Sequence, residues 1–120
     1  MGIVKTSFRV CNRRDEKCSL VEDAVVDTGS VLTWVPASLL KEIGLKPQET
    51  KTFITITGRH IKRGVSPARC EVNGGKAGCN VVFAEANDKT VLGATALETL
   101  GLDVDMTSRK LKRKQSFLAV

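Results

Sequence analysis

The sequence predicts a mostly β fold with one or two short helices, and three observations carry that prediction. Residues 3–11 alternate, with Val4, Thr6, Phe8 and Val10 on one side and Lys5, Ser7 and Arg9 on the other, the period of a half-buried strand. Glycine-bearing turn signals punctuate β-rich stretches, at Gly58-Arg59 and at Asn73-Gly74-Gly75-Lys76. Only two segments carry helical spacing, and both are short. At 120 residues, 42% of them apolar and 27% charged, the chain has the size and composition of one folded domain, 1–120.

The elements follow in order. Asn12 to Lys17 is polar and turn-like, and residues 18–26 resume an apolar pattern ending in Ala24-Val25-Val26, so 3–26 reads as a hairpin. Pro36 opens a short helix over 36–43, with Leu39, Leu40 and Ile43 on one face and Gly44 at its exit. Lys46-Pro47-Gln48 turns the chain. Thr52–Thr57 and Ile61–Val65 form a hairpin about Gly58-Arg59, which sets Ile56 opposite Ile61. Arg69–Val72 and Gly78–Phe83 form another, centred on Gly74-Gly75. Thr90-Val91-Leu92 is a short buried strand ended by Gly93. Ala94, Leu97 and Leu100 share a helical face, and Gly101 caps it. Leu102–Met106 and Arg109–Leu111 close the pattern as short strands or a turn.

Two stretches resemble each other. Val25-Val26-Asp27-Thr28-Gly29 leads to a helix ending Leu40-Lys41-Glu42-Ile43-Gly44-Leu45. Val91-Leu92-Gly93 leads to one ending Leu97-Glu98-Thr99-Leu100-Gly101-Leu102. A buried strand, a glycine, a short helix and a Gly-Leu exit occur twice, which suggests two related halves.

Charge narrows the function classes. The net charge is +6, but residues 109–114 hold five basic groups and no acidic one, and the rest nearly balance. The sequence has no Tyr, one Trp and four Phe, too few aromatics for a nucleic-acid stacking platform. The basic C-terminal segment 109–120 therefore reads as solvated, and nucleic acid is not an expected partner. No run approaches the ~18 apolar residues of a membrane span, and no export signal precedes Lys5. The expected location is cytoplasmic, with no membrane partner. Met1-Gly2 with Thr6 fits a loose acylation pattern, against which stands the strand reading of residues 3–11.

The chemistry concentrates in Ala24-Val25-Val26-Asp27-Thr28-Gly29-Ser30. A carboxylate follows an apolar run, Gly29 permits a tight turn, and Thr28 and Ser30 bring hydroxyls. Asp-Thr-Gly-Ser after two apolar residues resembles the active-site motif of aspartic peptidases. Val91-Leu92-Gly93 before a short helix resembles the second signature of the single-domain, retropepsin-like branch of that family. The resemblance spans about residues 3–111.

This resemblance implies a closed, mostly antiparallel, acid-protease-like β-barrel that is half an enzyme. Gly93 stands where a second motif would carry its Asp, so the chain supplies one catalytic carboxylate, Asp27. Two carboxylates sharing a proton then require a homodimer with the site on its two-fold axis. Thr28 would brace the loop across that axis, and Gly29 would admit the substrate-side geometry. Polypeptide is the implied substrate, with no metal or organic cofactor. Residues 51–65 would be the flap, its tip near Thr57-Gly58-Arg59-His60, with Phe53, Ile54, Ile56, Thr57, Gly58 and Ile61 as candidate substrate contacts. The tip lacks both the glycine-rich sequence of many retroviral enzymes and the Tyr of pepsin-like flaps. A Ser30 hydroxyl donating to the outer oxygen of Asp27 would lower the apparent pKa of the pair and set an acidic optimum. The rival reading is a catalytically weak peptide-binding dimerisation module of the same fold. A basic adaptor binding nucleic acid is a third.

Other residues read as structural. Trp34 is core or pocket wall, His60 a surface residue, and Asp103 and Asp105 solvated carboxylates. The four cysteines match no zinc or redox spacing. Reduced thiols are the default without an export signal; on oxidation the hairpin registers pair Cys11 with Cys18 and Cys70 with Cys79.

Overall fold

A computed structural model describes residues 3–116 and Ala119. Met1-Gly2, and with them the acylation pattern, lie outside the described residues. Among the described residues strands make up 53% and helices 11%, so the mostly β expectation holds. The strands are β1 (Lys5–Cys11), β2 (Cys18–Asp27), β3 (Thr33–Pro36), β4 (Glu49–Ile54), β5 (His60–Val72), β6 (Gly75–Ala84), β7 (Val91–Gly93), β8 (Leu102–Asp105) and β9 (Lys110–Arg113). Helix α1 (Ala37–Glu42) follows β3, and α2 (Ala94–Leu100) follows β7. Among the described residues, no helix is long and apolar enough to cross a membrane.

Six strands close into a barrel in the order β1-β2-β7-β3-β6-β5, because β5 also pairs with β1. Closure leaves no unpaired edge among the six. β4 hangs on β5 alone, and β8 and β9 form a separate two-stranded sheet. The barrel is not wholly antiparallel: β2 runs parallel to β7, and β3 parallel to β6. Val4, Phe8 and Val10 face inward as the period-two pattern requires, joined in the core by Val35, Leu40 and Leu92. A buried Leu of this kind stabilises by about 2–3 kcal/mol.

The first hairpin keeps its expected ends, Cys11 opposite Cys18. Between Thr6 and Phe8 the register slips, and Asp23 at φ 54° absorbs the extra residue of β2. Helix α1 is shorter than 36–43: Pro36 caps its start with extended backbone, and Gly44 leaves its end at φ 84°. β3 carries no alternation long enough to announce a strand, yet its four residues bridge β6 and β7.

Two turns differ from the expected registers. The β4–β5 loop is longer than Gly58-Arg59: Thr55 N–H donates to the Arg59 carbonyl at 2.9 Å, and Gly58 N–H to the Thr55 carbonyl at 2.8 Å. Ile56-Thr57-Gly58 is therefore a three-residue loop, with Gly58 at φ 83° in the left-handed position such loops require. Ile61 consequently faces Phe53, not Ile56. In the β5–β6 hairpin the turn is Asn73-Gly74, both at positive φ (49° and 82°), as in the mirror-type turn this dipeptide favours. Cys70 then lies opposite Ala77, and Cys79 opposite Ala68. Cys70 and Cys79 are diagonal neighbours on one face, with Cα atoms 6.5 Å apart, and are joined as a disulfide. Cys11 and Cys18 are joined likewise, so both pairs are oxidised where reduced thiols were the default.

The segments Ile61–Val65 and Arg69–Val72 are not separate: β5 runs through Ser66-Pro67-Ala68 in one 13-residue strand. The basic run is not simply a solvated tail. Lys110–Arg113 forms β9, and it sets Lys112 opposite Asp103 and Lys110 opposite Asp105. Opposite charges across such a pair are mutually stabilising.

Candidate active site

Asp27 is the last residue of β2 and Gly93 the last of β7, and the two are direct partners in the parallel pairing. The internal repeat thus brings its two halves side by side at one end of the barrel. Beyond Asp27 the chain turns sharply: Ser30 N–H donates to the Asp27 carbonyl at 3.1 Å, and Gly29 N–H donates to the Asp27 Oδ1 carboxylate oxygen at 2.8 Å. A Cβ on Gly29 would stand 3.2 Å from that same oxygen, so a side chain there would crowd the carboxylate.

Helix α2 fixes the loop from behind. Ala94 N–H donates to the Ser30 carbonyl at 2.7 Å, and Thr95 N–H to the Val31 carbonyl at 3.1 Å. Two of the orphan donors at the start of a helix are thereby satisfied by the loop itself. Gly93 N–H donates to the buried Thr33 Oγ1 at 3.0 Å. A Cβ at Gly93 would come within 2.6 Å of the Leu32 carbonyl carbon and 2.8 Å of the Ser30 oxygen. A side chain at position 93 would therefore have to displace that backbone, and the repeat that carries Asp in one half carries a closely packed Gly in the other.

Asp27 lies on the surface of a cleft of about 630 Å³. Val31, Leu32, Trp34 and Val91 form apolar walls, and the β4–β5 hairpin lends Phe53, Ile54, Ile56 and Ile61. Trp34 packs edge-on against Phe53 at 4.9 Å between ring centroids, which ties wall to hairpin and agrees with its reading as pocket wall. Of the candidate flap residues, Phe53, Ile54, Ile56 and Ile61 reach the cleft; Thr57 and Gly58 do not line it. His60 is exposed in the first position of β5.

Thr28 is exposed, points into no part of the cleft, and borders a small recess with Leu97, Leu102 and Lys114. Ser30 corrects one expectation. Its hydroxyl donates to the Leu32 carbonyl at 2.8 Å, so its single proton is committed to backbone and not to Asp27. That hydroxyl therefore does not set an acidic optimum. The carboxylate is also not buried within one chain: Asp27, Thr28 and Gly29 are all exposed.

Three features were missed. Thr33, between Leu32 and Trp34, reads as one more β residue, and only the fold reveals its bond to Gly93. Asp88 and Lys89 border the cleft from the loop between β6 and β7. Arg63 of β5 holds Asp88 with a two-pronged contact, Nε to Oδ2 at 2.7 Å and Nη2 to Oδ1 at 3.1 Å. Arg63 keeps the Asp88 carboxyl below the usual range of aspartate, helped by the Glu85 N–H at 2.8 Å. This pair ties the hairpin base to the loop. Cys11, Cys18 and Glu71 offer ligand atoms within 4.8 Å of one another, but the disulfide removes both thiolates and leaves one carboxylate, too little for a metal.

No protein-family model matches the chain, and no curated protein matches it.

Proposed function

We propose that this chain is a retropepsin-like aspartic endopeptidase that acts as a homodimer. The observation that carries the reading is Asp27 itself: an exposed carboxylate at the end of a barrel strand, oriented by the Gly29 N–H, in an apolar cleft beneath a hairpin. Its neighbour in the repeat has no room for a second carboxylate, so the second Asp27 comes from another copy, and the exposed Asp27-Thr28-Gly29 surface is where that copy meets it.

In the dimer the two carboxylates share one proton, because like charges ~3 Å apart do not both ionise. The ionised Asp27 takes a proton from a water held between them, and the water oxygen attacks the scissile carbonyl carbon. The protonated Asp27 gives its proton to the carbonyl oxygen, leaving a tetrahedral diol. The first carboxyl then returns its proton to the amide nitrogen as the C–N bond breaks, and a diol hydroxyl re-protonates the second. Each Asp27 ends as it began. The working state holds one proton, so kcat/KM follows a bell bounded by the two macroscopic pKa values of the pair.

The experiment is cleavage of a diverse peptide pool by wild type and Asp27→Asn. Asn keeps the shape but can neither accept nor share the proton. Turnover should fall roughly a thousandfold or more, with circular dichroism and dimer content unchanged. An Asn variant with near wild-type turnover contradicts the mechanism. Peptide binding by wild type without cleavage would favour the binding-module reading instead.

A further inference from the structure

The cleft wall is mostly apolar, and its charged residues are Asp27, Asp88 and Lys89. Asp88 is already spoken for. Both its oxygens are held by Arg63, and the two side chains are only 14% and 12% exposed. Arg63 also lies 3.6 Å from Glu85. Lys89, next in the chain, is exposed and has no ion-pair partner among the described residues.

The opposite rim carries a matching charge. Arg59 directly precedes β5 and is tied to Thr55, a residue that lines the cleft: Thr55 N–H donates to the Arg59 carbonyl at 2.9 Å, and Arg59 N–H to the Thr55 hydroxyl at 3.1 Å. Residues directly opposite across a hairpin carry their side chains to the same face, which sets Arg59 at the hairpin edge of the cleft. After the bond to Arg63, the Arg59 charge also helps to hold the Asp88 carboxyl below its usual range. Arg59 too has no ion-pair partner among the described residues. The rim thus holds Arg59, Arg63 and Lys89 against Glu85 and Asp88. The surplus cation is divided between two exposed side chains, Arg59 on the hairpin and Lys89 on the loop between β6 and β7.

We infer that the mouth of the cleft selects peptides with an Asp or Glu beside an apolar segment, the acidic side chain being held between Arg59 and Lys89. This deepens the proposed function and rests on the cleft being a peptide site. The apolar walls take the hydrophobic segment, and the rim cations set where along it a negative charge is accepted. A basic side chain at the same position meets two like charges and is disfavoured.

The test uses one apolar peptide carrying Glu, Gln or Lys at a scanned flanking position. Binding is measured by calorimetry to the Asp27→Asn chain, in which the floor charge is absent and turnover does not consume the probe. At the best position Glu should bind about two- to fivefold tighter than Gln, with Lys weaker than both, and the differences should shrink in high salt. Lys89→Glu should reverse the order of Glu and Lys, and Arg59→Glu should flatten or reverse it; both positions are exposed, so the fold tolerates the change. Equal binding of the three peptides at every position, an order unchanged in both variants, or no binding at all overturns the inference. Cleavage of the same peptides by wild type separates the two claims. Charge-ordered binding with no cleavage sinks the peptidase reading and leaves the selection standing. Cleavage without charge order does the reverse.

Discussion

The floor and the roof of the cleft are built by opposite strategies. The floor is locked by backbone: Asp27 and Gly93 end adjacent parallel strands, and the loop between β2 and β3 is bonded to the start of α2 at two carbonyls and to Asp27 at two points. Nothing there depends on a long side chain. The roof is a ribbon in which β4 pairs with β5 alone, and it is fastened to the loop opposite by one side chain, Arg63, held closely by Asp88 and more loosely by Glu85. The difference teaches where precision is needed. Under the proposed function, two carboxylates sharing a proton would tolerate little displacement, whereas a hairpin admitting and releasing a peptide would need a fastening that can be undone.

The sharpest way to break the floor is Gly93→Ala. One methyl group must displace the Leu32 and Ser30 backbone. We expect a loss of about 3 kcal/mol, read as a fall in Tm of roughly 10 °C or more. Wild-type stability in this variant would show that the loop yields easily and that the floor is not locked.

The floor was legible in the sequence, and the roof only partly. Asp27-Thr28-Gly29 and Val91-Leu92-Gly93 are short, apolar-led and punctuated by glycine, so local pattern and tertiary role coincide. The hairpins were found for the same reason, since glycine and asparagine mark turns whatever surrounds them. Their registers were not, because register depends on which residue takes positive φ. Gly58 does so as the third residue of its loop, and Asn73 with Gly74 does so one step before the expected centre. The single slip at Asn73-Gly74 moved Cys70 from direct to diagonal contact with Cys79. Thr33 and the Arg63–Asp88 pair were invisible for another reason. Their partners lie far along the chain, 60 and 25 residues away, and no local period reports them.

A smaller effect should come from the roof. Asp88→Asn leaves Arg63 partly buried with only the more distant, exposed Glu85 as a partner, and should cost about 2 kcal/mol, between the values for exposed and fully buried pairs. The Asp88 pKa is lowered in the folded state. Its contribution is therefore fully present above the ordinary aspartate value near 3.9 and is lost as pH falls through the lower, folded value. Denaturation curves of wild type and Asp88→Asn should differ at pH 7 and converge in acid below about pH 4. A difference that persists undiminished at low pH would show that the pair is not what fastens the roof.

The smallest effect tests the floor again. Ser30→Ala removes a bond to the Leu32 carbonyl and nothing from Asp27. It should cost about 1 kcal/mol of stability and leave the bell-shaped profile of kcat/KM against pH where it was. A displaced profile would restore the serine to the carboxylate and correct the geometry described above.

The central claim is that each active site is made of two Asp27 residues from two chains, and subunit mixing tests it most directly. Wild type and Asp27→Asn chains are combined at a fixed total concentration above the dimer dissociation constant and allowed to exchange. If both carboxylates are needed, activity follows the square of the wild-type fraction, so an equal mixture retains about a quarter of it. Activity that falls in direct proportion to the wild-type fraction, about half in the equal mixture, would mean that one chain suffices and would contradict the account.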